Sequence, residues 1–309
     1  MTATLRLPAA LLLAAGVFLA LTGCGGGKPA PDGKDKKDDP RPAVGTPSGD
    51  PGPKPPAGAP AQPAKLDVNS GLGKEAFDFL QAVREGKARA DQLSTPFAKA
   101  VGLPVVFDSD KSKGYSASSA EDWLKRVGAS TGFSPPLSAT QVGDAALFRG
   151  VLVGKPGNYS LRMVKEGGAW KVDWLSASTV EVKKPLPGGG PGDAVLREFA
   201  AAAVVEAVCD QDAMPAAQRA AVVAAGLTPA LRAEWAPPFG SDTAAGYDYS
   251  PSKLGFKVGD LGGKAESVAY TPQGDGTYLA EVTRAGGGKA AYAVKLAAGQ
   301  PLVERFAPQ

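Results

Sequence analysis

No histidine occurs anywhere in this 309-residue chain. That absence excludes imidazole general-base catalysis, serine–histidine and cysteine–histidine nucleophile pairs, and most zinc and iron sites. Cysteine is almost missing as well: Cys24 and Cys209 are the only two, and no Cys-x-x-Cys spacing exists for a metal or a redox pair. A charge excess of one sign is also lacking in most of the chain. The net +3 comes from Arg6 and from residues 25–65, whereas residues 66–309 carry 26 cations and 26 anions. A neutral region with no basic run gives no footprint for nucleic acid. The triple glycines Gly188-Gly189-Gly190 and Gly286-Gly287-Gly288 lack a following Gly-Lys-Ser/Thr, so they are not phosphate loops. Neither a metal nor a cofactor is expected.

What the chain does have begins at its N-terminus. Behind Arg6, residues 7–20 form an apolar run of about 14 residues, the size of a signal-peptide core and shorter than the ~20 that span a bilayer as a helix. Leu21-Thr22-Gly23-Cys24 follows and resembles the bacterial lipobox, the substrate of lipoprotein transferase and signal peptidase. The resemblance implies a signal peptide over 1–23 and lipidation of Cys24 by a diacylglyceryl thioether, usually with an added acyl chain such as palmitate. It also implies a mature protein anchored in the cell membrane or outer membrane, facing the periplasm or the exterior. Each buried methylene adds ~0.8 kcal/mol, so one chain anchors marginally and two or three hold firmly. Lipidation of Cys24 would leave Cys209 without a disulfide partner. In its Ala/Val-rich helical setting Cys209 reads as a small core residue.

Residues 24–65 form a tether. The stretch from 25 to 65 holds eleven of the 28 prolines, eight glycines, no aromatic residue and a single branched aliphatic, Val44. Such a segment cannot bury enough apolar surface to offset its ordering entropy, so it is predicted to be disordered. Its charge cluster Lys34-Asp35-Lys36-Lys37-Asp38-Asp39 lacks calcium-loop spacing and reads as a solvated spacer.

Residues 66–182 and 193–309 look like two copies of one plan, divided by a Pro/Gly-rich linker over 183–192. Each copy begins with a helical pattern. Ala76, Phe79, Leu80 and Val83 share one face in the first, and Val195, Phe199, Ala202, Val205 and Val208 in the second. Leu93-Ser94-Thr95-Pro96 and Gly226-Leu227-Thr228-Pro229 then mark matching helix starts. Each copy ends in strands, predicted at 145–153, 159–164 and 170–175 and again at 277–284, 290–296 and 301–306, with glycine turns between. A gapless offset of 131 residues superposes the two ends, placing Leu147 on Tyr278, Val151 on Val282 and Val172 on Val303. Helices followed by an antiparallel meander predict an α+β class.

Lys165-Glu166-Gly167-Gly168-Ala169-Trp170-Lys171-Val172-Asp173-Trp174 resembles the last hairpin of nuclear transport factor 2-like domains, some of which are small bacterial envelope lipoproteins. The resemblance covers most of 68–182 and, more weakly, 193–307, where Pro301 stands in place of Trp170. It implies two tandem domains, each a curved antiparallel sheet wrapped as a cone around N-terminal helices, the second a divergent copy. Some relatives are isomerases, dehydratases or cyclases that use His, Asp or Tyr inside the cone.

No catalytic cluster is legible. Asp173 alternates with Trp170, Val172 and Trp174 and is expected on a wet face beside Lys171; Asp144 and Asp275 read as turn residues. Tyr115, Tyr247 and Tyr249 fall in loops. Tyr159, Trp170 and Trp174 are the residues that either line an aromatic pocket or fill the first core. Trp170, Val172 and Trp174 are expected to point one way, against Phe79 and Leu80. The function expected is a non-enzymatic binding or interaction module, its partner a small apolar ligand or another envelope protein. An isomerase- or cyclase-type enzyme using Tyr and Asp, or a purely structural spacer, are the alternatives.

Overall fold

The computed structural model describes residues 63–69, 71–102, 105–106, 119–188, 190–210, 213–235, 247–248 and 264–309. The signal peptide, Cys24 and nearly all of the tether lie outside the described residues, as do Tyr115 and Tyr249. The end of the tether departs from the expected disorder: Ala64–Lys65 form strand β1, paired with Gln141 and Thr140.

Helix α1 (Gly71–Arg84) buries Ala76, Phe79, Leu80 and Val83, the face that the spacing predicts. A short 3₁₀ turn (Ala90–Gln92) leads to α2 (Thr95–Val101). The cap of α2 is Ser94, one residue before the expected Thr95; its Oγ accepts the Phe97 N–H at 3.3 Å, and Pro96 sits in the first turn, where no N–H is needed. Strand β2 (Val105–Val106) and helix α3 (Ala120–Ser130) follow, the latter capped by Ser119. Helix α3 crosses α1 so closely that a Cβ on Gly128 would lie 1.8 Å from the Val83 carbonyl oxygen.

Strands β3 (Gly132–Phe133), β4 (Ser138–Val142), β5 (Ala145–Val153), β6 (Asn158–Glu166) and β7 (Ala169–Ser178) build the first sheet, in the order β1-β4-β5-β6-β7 with β3 also on β5. Gly143-Asp144 makes the β4–β5 turn, with Gly143 at φ 55°. The second half runs β8 (Glu181–Lys184), α4 (Gly192–Cys209), α5 (Ala216–Ala225), α6 (Pro229–Trp235), β9 (Tyr247–Asp248), β10 (Ala265–Gly274), β11 (Thr277–Arg284), β12 (Lys289–Leu296) and β13 (Val303–Pro308). Its sheet has the order β13-β12-β11-β10-β8, and β2 pairs with β9. The class is α+β, with two mainly antiparallel sheets.

The two halves repeat a specific joint. Leu93 bridges Val172 and Leu227 bridges Val303, both in parallel sense. The next N–H donates to the same strand residue each time: Ser94 to the Val172 carbonyl at 2.8 Å, Thr228 to the Val303 carbonyl at 2.9 Å. Ser94 caps α2, and Thr228 Oγ1 accepts the Leu231 N–H at 3.3 Å at the start of α6. The gapless superposition, however, fails on β11. Ala146 and Phe148 pair with Met163 and Leu161, whereas Tyr278 and Ala280 pair with Val294 and Tyr292. Tyr278 therefore matches Ala146, not Leu147. The Asp275-Gly276 turn, with both residues at positive φ, sits one position later than Gly143-Asp144, and a one-residue slip exchanges the faces of a strand.

A second correction concerns β7. Arg162 pairs with Trp174 but Met163 pairs with Val172, so the register shifts and Asp173 occupies a bulge. Trp170 and Val172 stay on the face of α1, whereas Trp174 moves to the opposite face, beside Val204 and Gly226. Asp173 is not on a wet face either. Its Oδ2 accepts from Arg162 Nε at 2.9 Å and Nη2 at 2.7 Å, and its Oδ1 accepts from Ser94 Oγ at 2.6 Å.

Helix α4 is buried on every side from residue 199 to 207, not only along the expected stripe. One side faces the second sheet and the other meets the first sheet through β4 and β7. The segment 183–192 is correspondingly more than a linker: β8 lies parallel to β10, and Leu186 packs on the core. Buried apolar residues of both halves form one continuous cluster, and residues 55–309 form one compact unit.

Candidate functional site

The first core is filled. Trp123, Phe133, Phe148, Tyr159 and Leu161 are all at most 1% exposed. Tyr159 stacks edge-on against Phe133 at 5.5 Å and donates its hydroxyl to the Ser134 carbonyl at 3.0 Å. Burial pushes that phenol well above its ordinary range. Trp170 is half-buried at a shallow groove with Arg89, Asp91 and Lys171, with the Lys165 ammonium 5.4 Å from its ring centre. Trp174 is buried in the seam between the halves, its Nε1 donating to Ser176 Oγ at 2.9 Å. Tyr159, Trp170 and Trp174 therefore do not converge on a pocket. Cys209 is buried at the end of α4, where burial first and Glu206 second push its thiol up to about 12; a thiol held protonated is a core residue, not a nucleophile.

A pocket lies beside α4. This open pocket of about 460 Å³ lies between the β4–β5 hairpin of the first sheet, one side of α4, β10, and the strap of residues 185–188 that follows β8. Its walls are mostly apolar: Leu147, Val182, Leu186, Val195, Phe199 and Ala202. Helical spacing explains the α4 contribution, since positions 195, 198, 199, 202 and 206 fall on one face. At the inner end Arg149 Nη1 donates to both carboxylate oxygens of Glu206, each at 3.2 Å. Glu206 is 3% exposed and relies on the partly exposed Arg149 for its balancing charge. The Arg149 guanidinium also lies 5.3 Å from the Phe199 ring centre. The Tyr270 hydroxyl donates to the Ala202 carbonyl at 3.3 Å and stands 3.5 Å from Glu206 Oε1; burial, then the Glu206 charge, raises its proton affinity. Glu198 also lines the pocket, with Ser138, Thr140 and Asn158. Its Oε2 is buried with no hydrogen-bond partner, and burial raises its carboxyl above the ordinary value.

No family model, curated protein or solved structure matches the chain. Among the described residues no helix is long and apolar enough to cross a membrane, and no group of three His, Cys, Asp or Glu side chains is placed to hold a metal.

Sequence reasoning passed over Arg149, Glu198, Glu206 and Tyr270. One signal was available. Glu206 is the single charge in the otherwise apolar run 199–209, and Arg149 interrupts the apolar strand 145–153. Lone opposite charges in two buried elements ask for one another. Nothing in the sequence says that residues 57 apart meet, because that depends on how the halves dock.

Proposed function

We propose that this protein is a lipid-anchored lipoprotein of the bacterial cell envelope whose folded part binds a small amphipathic molecule without transforming it. The tetrad Leu21-Thr22-Gly23-Cys24 and the Pro-rich tether support the anchor, and two tandem copies resembling nuclear transport factor 2-like domains remain the family reading. The observation that carries the binding role is the cavity of about 460 Å³, apolar on its walls and charged at one buried end. Preformed concave sites with a few placed polar groups are the usual form of small-molecule sites. A filled first core turns the site away from the expected cone and towards the space beside α4.

The test is binding of Nile red to the full chain and to its Ala202→Phe variant, whose ring would enter the cavity. Saturable binding in the parent and loss of about tenfold or more in the variant, with unchanged melting, is expected. Equal binding by the two proteins overturns the assignment. Membrane retention of Cys24→Ala equal to that of the parent overturns the anchor.

A further inference from the structure

On the basis of the binding role just proposed, the polar end of the pocket narrows the class of ligand. Both Glu206 oxygens meet the same nitrogen of Arg149, Nη1, at 3.2 Å. The contact is therefore end-on, and the guanidinium edge formed by Nε and Nη2 donates to no acceptor among the described residues. Neither of these two nitrogens is buried. The Arg149 side chain lines the pocket and is 32% exposed, so a ligand can reach that edge. The guanidinium carbon stands over the Phe199 ring, 5.3 Å from its centre, so the apolar wall begins beside the donors. Ser138, opposite Arg149 in the β4–β5 pairing, and Asn158 line the same pocket and add a hydroxyl and an amide donor. Charge at this end is already balanced. Glu206 cancels Arg149, and Glu198 lies two turns earlier on α4, about 12 Å away along the helix axis.

We propose that the pocket takes an amphiphile with an uncharged carbonyl head, an acyl amide or ester, whose oxygen accepts from the Nε–Nη2 edge of Arg149 while its chain lies against Leu147, Val195 and Phe199. A carbonyl oxygen has two lone pairs to offer, and hydrogen bonds from an ionised donor are the strong ones. Such a head adds no charge to a balanced end. A carboxylate fits the same edge but brings a negative charge beside Glu206, with no second cation among the described residues of the lining. An ammonium brings only donors to an edge made of donors.

Octanamide, methyl octanoate, octanoate, octylamine and 1-chlorooctane, each below its micellar concentration, separate these cases by displacement of Nile red from the full chain carrying Cys24→Ala. The amide and the ester are expected to bind at least about tenfold tighter than octanoate and octylamine. Chlorooctane is an uncharged chain without a strong acceptor, and its binding reports the apolar wall alone. Arg149→Lys keeps a cation beside Glu206 but has no forked edge. It is expected to weaken the amide and the ester about tenfold and to leave chlorooctane unchanged. Arg149→Met combined with Glu206→Met removes both charges of the pair together, which is often neutral for stability, and is expected to do the same. Octanoate or octylamine binding as tightly as the amide and the ester overturns the carbonyl head and leaves the pocket reading standing. So do amide and ester affinities that fall no further than that of chlorooctane in the double variant. Failure of all five compounds to displace Nile red overturns the binding role itself.

Discussion

At the scale of single residues, the two tryptophans of β7 lie on opposite faces, although strict alternation puts both on one. Trp174 is 2% exposed and sits between the halves, whereas Trp170 is half-buried beside Lys165. Deletion of a fully buried large side chain costs about 3–5 kcal/mol. Trp174→Ala is expected to fall in that range, and Trp170→Ala to cost about 1–2 kcal/mol because much of its ring already meets water. Urea unfolding of both variants measures the difference; a larger loss from Trp170→Ala would contradict this placement. Residue types alone supported either assignment. The offset of one position arises at Asp173, which has no propensity signature of its own for a bulge.

At the scale of elements, the bulge in β7 is held by a small polar assembly. Asp173 joins Arg162 on β6 to Ser94 at the start of α2, and the Arg162 side chain is 7% exposed. Removing one partner of a buried ion pair strands the other, at a cost of about 3–5 kcal/mol, whereas replacing both with apolar groups is often neutral. Asp173→Ala is expected to destabilise by that amount, and Asp173→Ala combined with Arg162→Met to recover most of it. A double-mutant cycle in urea checks this, and additive losses would show that the two side chains act independently. Helix α1, strands β5 and β11, and the two turns at Asp144 and Asp275 were legible beforehand, because each is fixed by local periodicity or by a glycine-bearing turn. Strand β10 and strand β8 were not, since neither shows clean alternation and β8 owes its pairing to β10, a neighbour distant in sequence.

At the scale of the whole molecule, the two halves share one interior. Trp123 Nε1 donates to the Gln218 carbonyl at 3.1 Å and Thr131 Oγ1 to the Ala213 carbonyl at 3.0 Å, so both halves contribute to each other's polar satisfaction. Buried Asp210 accepts from the Thr179 N–H at 3.1 Å and the Ala213 N–H at 3.0 Å, joining the end of β7 to the α4–α5 turn. A single cooperative unfolding transition is therefore expected for 66–309 by calorimetry, and a fragment ending at 182 is expected to be insoluble because it bares Leu147 and Trp174. Two separate transitions, or a soluble and fully folded 66–182 fragment, would contradict the shared interior.

The sequence by itself determined the α+β class, the boundaries of the most periodic helices and strands, and the turn chemistry, because each is a short-range matter of period, glycine placement and capping. It also excluded imidazole chemistry from this chain's own side chains, because no histidine is present. Tertiary structure decided which face of β7 carries Trp174, why α4 is apolar all round, and where a cavity opens. Those outcomes depend on one bulge and on the docking of two sheets across a helix. Docking also brings Arg149 to Glu206, a meeting of residues far apart in the chain that local periodicity does not specify.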